Sequence, residues 1–354
     1  MKLSLAMIVK NEARCLARCL ASVRGLVDEI IITDTGSTDD TVKIAGQFGA
    51  RLSHADWIGD FAAARNYALA RATGDWILVL DADEVVSEPL AREIREFISG
   101  GPRIGRLKIV SDFRHHGQTQ RSSTFVSRLF PRGAQFSGRI HEQIVSDLPR
   151  VNLRGEVLHD GYLETQKSDR NVTLLSAEIA RDPANAYLHF QLALEYTSLS
   201  RPQAAFASLQ LAIGHMQPSD PFAPNVIVDF LYAAMELKQF AAGLEVIHST
   251  ETWLADFPDF HHVCGLFYMR HVGSDPAKNM GDLPRIEQSF RRSLALGETE
   301  KYKSVHGSGS FLASYNLGVF YHAFGDAAGA ERCLSAAARQ NYAPATALLQ
   351  KLRL

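Results

Sequence analysis

The fold of this chain is decided by a stretch that reads WILVLDADE at residues 76–84. Its first five residues are apolar, which is typical of a strand buried on both faces of a sheet. The acidic residues Asp81, Asp83 and Glu84 begin where the apolar run ends. Side chains two positions apart on an extended chain project to the same side, so Asp81 and Asp83 should converge. The stretch therefore predicts a buried strand with two carboxylates at its carboxyl end.

Strands and helices are predicted to alternate around this stretch. The strands lie at residues 3–9, 28–33, 76–80, 106–110, 124–130 and 156–159, and the helices at 11–23, 37–48 and 60–71. Alternation in the first part of the chain implies a largely parallel sheet with right-handed crossovers and helices on both faces. From residue 106 onward the strands follow one another, so we expect a mixed second half of the same α/β domain.

After about residue 169 the strand patterns vanish and the chain becomes helical. A small residue followed three positions later by tyrosine recurs at Ala193 and Tyr196, Gly265 and Tyr268, and Gly318 and Tyr321. Ala-rich second helices are predicted at 203–213 and 327–339, which is the pattern of helix hairpins of tetratricopeptide type. The repeats are degenerate, because Gly265 and Gly318 are 53 residues apart and the usual unit has about 34.

Two domains follow from these patterns, an α/β domain at residues 1–165 and a helical repeat domain at 166–354. The segments 274–282 and 307–309 are expected to be inserted loops between repeats. Stacked helix hairpins of this kind build an α-solenoid with a concave surface.

Composition and charge exclude several classes of protein. The chain has 37 Lys and Arg against 39 Asp and Glu, a formal net charge of −2. This balance gives no reason to expect nucleic-acid or acidic-membrane binding. Only four cysteines occur, so a disulfide framework is not expected. No apolar run approaches the roughly 18 to 20 residues that span a bilayer, and residues 1–9 lack the layout of a secretory signal. We expect a reducing, cytoplasmic setting without a transmembrane segment.

Polar residues follow three of the predicted strands, and ligands of open parallel sheets bind at such carboxyl ends. These residues are Asn11 and Glu12, then Asp34 and Ser37, then Asp81 and Asp83. Paired carboxylates suit Mg²⁺ or Mn²⁺ carrying a phosphorylated ligand. The sequence contains neither a phosphate loop with Gly-Lys-Ser/Thr nor Gly-x-Gly-x-x-Gly. It therefore lacks the motifs that usually indicate an ATPase or a dinucleotide-binding enzyme.

Four motifs in order resemble one enzyme family. They are MIVKNE at 7–12, DTGSTD at 34–39, the segment from Phe61 to Arg65 and Asn66, and LDADE at 80–84. Together they resemble the family 2 glycosyltransferases of GT-A fold. Two later segments, GRIHEQ at 138–143 and HDGY at 159–162, resemble a bacterial branch with a helical repeat tail, similar to the enzymes that glycosylate cysteine-containing antibacterial peptides. The specific resemblance covers about residues 1–165.

The resemblance implies transfer of a sugar, with inversion at the anomeric carbon, from a nucleotide-diphosphate donor that is usually UDP-linked. The donor-binding positions that it implies are Asn11, Glu12, Asp34, Ser37, Arg65 and Asp81. Asp83 is expected to ligate Mg²⁺ or Mn²⁺ together with His159, with His141 as the competing histidine. A fixed dication would neutralise the departing diphosphate. Glu142 matches the position of the acidic residue that takes the acceptor proton.

The residues taken singly also allow simpler interpretations. Ser37 or Asp39 would cap the helix that follows the second strand. Arg65 would be a surface residue. Glu142 would merely orient His141 or its loop.

The acceptor and the overall role are open at this level. The concave helical surface suits a peptide or protein acceptor, and the second choice is a cell-surface polysaccharide or a lipid-linked glycan. The same helices would alternatively support a homodimer. Two other readings are a tetratricopeptide adaptor with a degenerate catalytic domain and a nucleotidyltransferase, which would release pyrophosphate.

Overall fold

A computed structural model describes residues 1–115, 118–159 and 169–352. The chain divides into two compact units, residues 1–166 and 167–354. The predicted boundary between residues 165 and 166 lies outside the described residues, as do Asp160, Gly161 and Tyr162 of the HDGY segment. Every helix in the described ranges is too short or too polar to span a bilayer.

The first unit contains strands and helices in alternation, followed by consecutive strands. Its strands are β1 (Leu3–Val9), β2 (Glu29–Asp34), β3 (Arg51–His54), β4 (Trp76–Val79), β5 (Glu84–Val86), β6 (Ile104–His115), β7 (Gln118–Pro131), β8 (Gln135–Ser137), β9 (Gln143–Val145) and β10 (Arg150–His159). Its helices are α1 (Leu16–Ser22), α2 (Thr41–Gln47), α3 (Phe61–Leu69) and α4 (Glu88–Ile98).

The main sheet of this unit is mixed, as predicted. Eight of its strands are hydrogen-bonded in the order β3-β2-β1-β4-β7-β6-β10-β5. The first four in this order are mutually parallel, β7 is antiparallel to both β4 and β6, and β10 runs parallel to β6. β8 and β9 form a separate antiparallel pair. The α/β class and the mixed second half are confirmed.

Apolar side chains on both faces of the sheet form the core of the first unit. One cluster joins the sheet to helices on one face and includes Leu5, Leu16, Leu20, Leu90 and Ile94. The other cluster lies under α3 and includes Ala6, Ile31, Ala68, Ile77 and Phe130. Because β1, β2 and β4 are buried on both faces and run in one direction, their carboxyl ends meet at one edge.

Several elements of the first unit differ from the sequence prediction: the short strands β5, β8 and β9 were not predicted, and three further differences have a clear cause. The strand β3 was missed because its residues RLSH form no apolar run and lie largely exposed at the end of the sheet. Helix α4 was missed although Leu90, Ile94 and Phe97 are buried at helical spacing, a pattern that the sequence displays. Helix α1 begins at Leu16 rather than at residue 11, because Asn11 has a positive φ of 57° that a right-handed helix excludes.

The second unit is helical, and the prediction of a helical repeat domain after the α/β domain is confirmed. Its helices are α5 (Arg170–Ile179), α6 (Ala186–Ser198), α7 (Pro202–His215), α8 (Ala223–Glu236), α9 (Phe240–Thr250), α10 (Pro258–Ser274), α11 (Pro276–Asn279), α12 (Leu283–Leu296), α13 (Phe311–Ala323), α14 (Ala327–Arg339) and α15 (Ala343–Leu352). A two-residue strand, β11, is formed by Ser304 and Val305. The expectation of a plain loop at 274–282 was wrong, because α11 and a 3₁₀ turn at Met280–Asp282 occupy it.

Close helix packing explains the small residues in the repeated pattern. A Cβ atom at Gly265 of α10 would stand 2.6 Å from the ring of Phe290 on α12. A Cβ atom at Gly318 of α13 would stand 2.8 Å from Leu334 on α14. These contacts are closer than real Cβ atoms make, so glycine allows the paired helices to approach.

A comparable close approach in the first unit gives a stability prediction. A Cβ atom at Gly155 of β10 would lie 2.4 Å from the Cα atom of Leu90 on α4. Because backbone cannot move aside cheaply, Gly155→Ala should lower the free energy of unfolding by about 3 kcal/mol, measured by denaturant titration. The control is Gly46→Ala on α2, where a Cβ meets nothing within 4 Å. Equal effects of the two substitutions would contradict this packing.

Candidate active site

Hydrogen bonds tie the loop after β1 to the loop after β2. The Asn11 N–H donates to Ser37 Oγ at 2.9 Å, and Asn11 Oδ1 accepts from the Thr38 N–H at 2.7 Å. The Glu12 N–H donates to Thr41 Oγ1 at 2.7 Å. The predicted donor residues Asn11, Glu12 and Ser37 therefore lie together at the carboxyl edge of the sheet. Ser37 accepts from the neighbouring loop rather than capping a helix, while the Asp39 carboxylate accepts from the Thr41 N–H at 3.0 Å.

Asp34 is the last residue of β2, and its carboxylate oxygens accept hydrogen bonds within the turn that follows. Its carboxylate accepts from the Gly36 N–H at 3.1 Å and from the Ser37 N–H at 3.1 and 3.2 Å. His54 Nδ1 lies 3.3 Å from the same carboxylate. Burial alone would raise the pKa of Asp34, but these hydrogen bonds outweigh it and lower the pKa. Only 2% of Asp34 is exposed. Its hydrogen bonds within the turn are observed, whereas its role in donor binding stays a prediction.

Arg65 brings two predicted site residues together. It lies on α3, and its side chain is only 8% exposed. Its Nη2 donates to Asp81 Oδ1 at 2.8 Å, and its Nε donates to Glu142 Oε1. Glu142 belongs to the loop between β8 and β9, 77 positions further along the chain. The interpretation of Arg65 as a surface residue was wrong, and α3 connects the end of β4 with Glu142.

Arg128 on β7 is a site residue that the sequence reasoning missed. Its Nη2 donates to Asp81 Oδ2 at 2.5 Å and to Glu84 Oε1 at 3.0 Å. Burial opposes charge on Arg128, but the carboxylates of Asp81 and Glu84 outweigh it and raise the pKa of Arg128. For Asp81, burial is outweighed by the two arginines, and its pKa falls. The sequence signal that could have identified Arg128 is its position as a cationic residue directly before the apolar pair Leu129 and Phe130.

Asp83 and His159 form a second polar contact at this edge. His159 Nε2 lies 3.2 Å from Asp83 Oδ2, and its Nδ1 lies 3.1 Å from Ser111 Oγ. Burial would lower the pKa of His159, yet the Asp83 hydrogen bond and the nearby carboxylates raise it. His141 lies next to Glu142 with a positive φ of 53°, and its pKa is lowered mainly by burial. The histidine in contact with Asp83 is therefore His159.

Glu12 faces the same acidic group. Its pKa is raised, first by burial and then by the charges of Asp83 and Asp81, although a hydrogen bond from Cys15 opposes the shift. Cys15 Sγ lies 3.2 Å from Glu12 Oε2, and burial with this neighbour raises the pKa of Cys15 to about 12. Glu12, Asp81 and Asp83 thus place negative charge at this edge of the sheet, which favours the binding of a cation.

Comparison with known proteins identifies the family of the first unit. Residues 4–154 match the model of the family described as glycosyl transferase family 2. These residues form a family 2 glycosyltransferase domain. The resemblance drawn from the four motifs is thereby confirmed, and all four motifs lie within the matched range.

Three similar proteins illustrate the range of relatives. A TPR repeat-containing protein of Synechococcus elongatus is 49% identical over 129 residues, 36% of this chain and 31% of the relative. The SPbeta prophage-derived glycosyltransferase SunS of Bacillus subtilis is 29% identical over 223 residues, 59% of this chain and 52% of that protein. A crystal structure of glucosyl-3-phosphoglycerate synthase from Mycobacterium tuberculosis, with Mn²⁺, UDP and glucosyl-3-phosphoglycerate, is 25% identical with a TM-score of 0.26, covering 32% of this chain and 44% of that one. The chain spans about a third to a half of the length of these curated relatives.

The spacing of Asp83 and His159 in the family 2 domain is compatible with a divalent cation. Adjacent ligands of an octahedral Mg²⁺ at 2.0–2.1 Å are about 3 Å apart, and these two atoms lie 3.2 Å apart. Both oxygens of Asp81 bind arginine. No group of three or more His, Cys, Asp or Glu side chains in the described ranges could hold a metal by itself. The pair therefore fits a cation that also takes water and substrate phosphates, as Mg²⁺ commonly does.

The buried Arg128 of the family 2 domain gives a second prediction. Arg128→Met should lower the free energy of unfolding by about 3–5 kcal/mol, because it leaves Asp81 and Glu84 buried without one partner. The matched control is Arg121→Met, which breaks the exposed pair with Asp112 and should cost at most about 1 kcal/mol. Denaturant titration followed by circular dichroism measures both. Equal losses would contradict a stabilising role for the buried ion pairs.

Proposed function

We propose that this protein is an inverting glycosyltransferase that moves a sugar from a nucleoside-diphosphate donor to an acceptor, with Glu142 as the catalytic base. The observation that carries the proposal is the pair of hydrogen bonds from Arg65 to Asp81 and to Glu142. One buried guanidinium thereby links the strand end where the donor is expected with the residue expected to activate the acceptor. The family 2 match over residues 4–154 supports the same reaction class.

The proposed reaction is a single displacement. The acceptor's nucleophilic atom forms a bond to the anomeric carbon while the bond from that carbon to the diphosphate oxygen breaks. The acceptor's proton passes to the Glu142 carboxylate, which must come within about 2.6–3.2 Å of the nucleophile or reach it through one water. The electron pair of the broken bond leaves on the nucleoside diphosphate. Attack from the face opposite the leaving group inverts the anomeric carbon.

The departing diphosphate gains negative charge at an edge that is already acidic. Arg65 and Arg128 are engaged by Asp81, Glu84 and Glu142. We assign Asp83 and His159 to hold Mg²⁺ or Mn²⁺, which when bound supplies Lewis-acid neutralisation of the diphosphate. The protein's own contribution is to keep these two ligands adjacent, through the pairing of β5 with β10 that places Glu84 opposite His159.

The remaining donor contacts are proposals that the loop geometry supports. Asn11, Glu12 and Ser37 belong to two loops joined by hydrogen bonds, and Asp34 shapes the second of these loops. Asp81 is expected to face the ribose side of a UDP-linked donor while its carboxylate stays with the arginines.

The acceptor proposed first is a peptide or protein. The second unit supports it, because helix hairpins such as α6 with α7 and α13 with α14 pack in succession and such arrays present surfaces for polypeptides. The alternative is a polysaccharide or lipid-linked glycan. Labelled UDP-sugars offered with cell extract decide, since label enters polypeptide in the first case and glycolipid in the second. Release of pyrophosphate instead of a nucleoside diphosphate would indicate a nucleotidyltransferase.

The organisation and setting are also proposals. Residues 1–165 would catalyse and residues 166–354 would frame the acceptor or support a homodimer, which light scattering of the purified protein distinguishes. A reducing, cytoplasmic setting is supported by four free cysteines, three of them buried.

Replacement of the proposed base gives a third prediction. Glu142→Gln keeps an oxygen to accept from Arg65 but cannot take a proton, so kcat should fall by about 10²- to 10⁴-fold. The donor KM should change little, because the Arg65 contact survives. Steady-state release of the nucleoside diphosphate measures both constants, with Glu156→Gln on β10 as the control. Full activity in Glu142→Gln would remove Glu142 as the base.

Replacement of the proposed metal ligand gives a fourth prediction. In the unaltered protein Mn²⁺ should tighten UDP binding, because Asp83 and His159 would hold the cation and its charge would favour the diphosphate. Asp83→Asn should weaken the metal-dependent part of that affinity at least about tenfold, measured by calorimetry with Mn²⁺ and with a chelator. Asp56→Asn, in the loop after β3, is the control. A UDP affinity that changes neither on addition of Mn²⁺ nor in Asp83→Asn would refute the metal site.

A further inference from the structure

His54 is the exposed partner of the buried Asp34. It is the last residue of β3, and the parallel register of β2 and β3 sets it opposite Asp34. Its side chain is 68% exposed, whereas that of Asp34 is 3% exposed. The Ala55 N–H also donates to the Asp34 carbonyl oxygen at 3.0 Å. Backbone and side-chain contacts therefore hold the His54 ring at the strand end where the donor nucleoside is proposed to bind.

Asp34 has little capacity left to read a base. Its carboxylate accepts from the backbone N–H groups of Gly36 and Ser37 and contacts His54. A base edge that approached Asp34 would have to displace these hydrogen bonds, each of which satisfies a polar group of a tight turn. A side chain that Asp34 orients is therefore better placed than Asp34 itself to form a hydrogen bond with the base.

The contact with Asp34 selects one tautomer of His54. An ionised carboxylate only accepts hydrogen bonds, so Nδ1 must carry the proton in this contact. In a neutral imidazole, the other nitrogen, Nε2, is then an acceptor. Because the ring is 68% exposed, Nε2 is accessible to a ligand. Asp34 thus holds His54 as a hydrogen-bond acceptor at the edge of the donor site.

We propose that His54 is a specificity-determining residue that accepts the imide N3–H of a uracil base through Nε2, and so selects uridine over cytidine diphosphate donors. Cytosine presents an unprotonated N3 at the same position, and two lone pairs would then face each other. The inference rests on the proposed function, because it names the base of the proposed donor. It assigns Asp34 the role of a positioning residue that acts through His54.

Calorimetric binding of UDP, dTDP, CDP and GDP to the full chain tests the proposal. The unaltered protein should bind UDP and dTDP, which share the imide N–H, about tenfold more tightly than CDP. His54→Ala should weaken UDP binding about fivefold and leave CDP binding unchanged. His54→Gln should restore UDP binding and also improve CDP binding, because an amide offers either an acceptor or a donor. His248→Ala, an exposed histidine on α9, is the control and should change nothing.

The outcomes separate this inference from the function on which it rests. UDP binding with an unchanged UDP-to-CDP ratio in His54→Ala would overturn the role of His54 and leave the glycosyltransferase proposal standing. Tighter binding of GDP than of UDP would overturn the assignment of uracil. Failure of every nucleoside diphosphate to bind, together with absence of sugar transfer, would overturn both. Circular dichroism of the variants confirms that each is folded, as expected for changes at an exposed side chain.

Discussion

The first unit depends on burying two arginines among carboxylates. Arg65 and Arg128 hold Asp81 from both sides, and each binds one further acid, Glu142 or Glu84. Charges removed from water are tolerated only when each has partners, and removal of one partner leaves the others uncompensated. The cluster therefore constrains α3, β4, β7 and the loop of Glu142 to one arrangement. The proposed chemistry uses the same arrangement, because it fixes the base relative to the donor edge.

The sheet places that cluster at the edge where its parallel strands end. β1, β2 and β4 are buried on both faces, so their polar residues collect where the strands end and the apolar layers stop. Asp34 and Asp81 follow from this rule, but they serve in different ways. Asp34 organises a turn and orients His54, while Asp81 lies between two guanidinium groups. At the same edge, His159 contacts Asp83 and His54 stays exposed, the two features on which the proposed cation and base contacts rest.

Much of the fold follows from local pattern. The apolar runs of β1, β2 and β4 predict strands within a residue or two of their observed bounds, and the ordered motifs predict the family that the match over residues 4–154 shows. Helix α4 was recoverable from its apolar spacing and was overlooked. Strand β3 was not recoverable, since its exposed residues form a strand only because β2 offers an edge with which to pair.

The sequence by itself determined the α/β class, the strands β1, β2 and β4, the acidic pair after β4 and the helical repeats, because periodicity and chain-local chemistry suffice for these. Tertiary structure alone decided that Arg65 is buried, that Arg128 joins it, that His159 contacts Asp83 and that Asp34 turns its carboxylate to its own loop. Each of these depends on partners 16 to 77 positions away or on a crowded turn. Burial and charge pairing are properties of the folded neighbourhood, so no local pattern of residues encodes them.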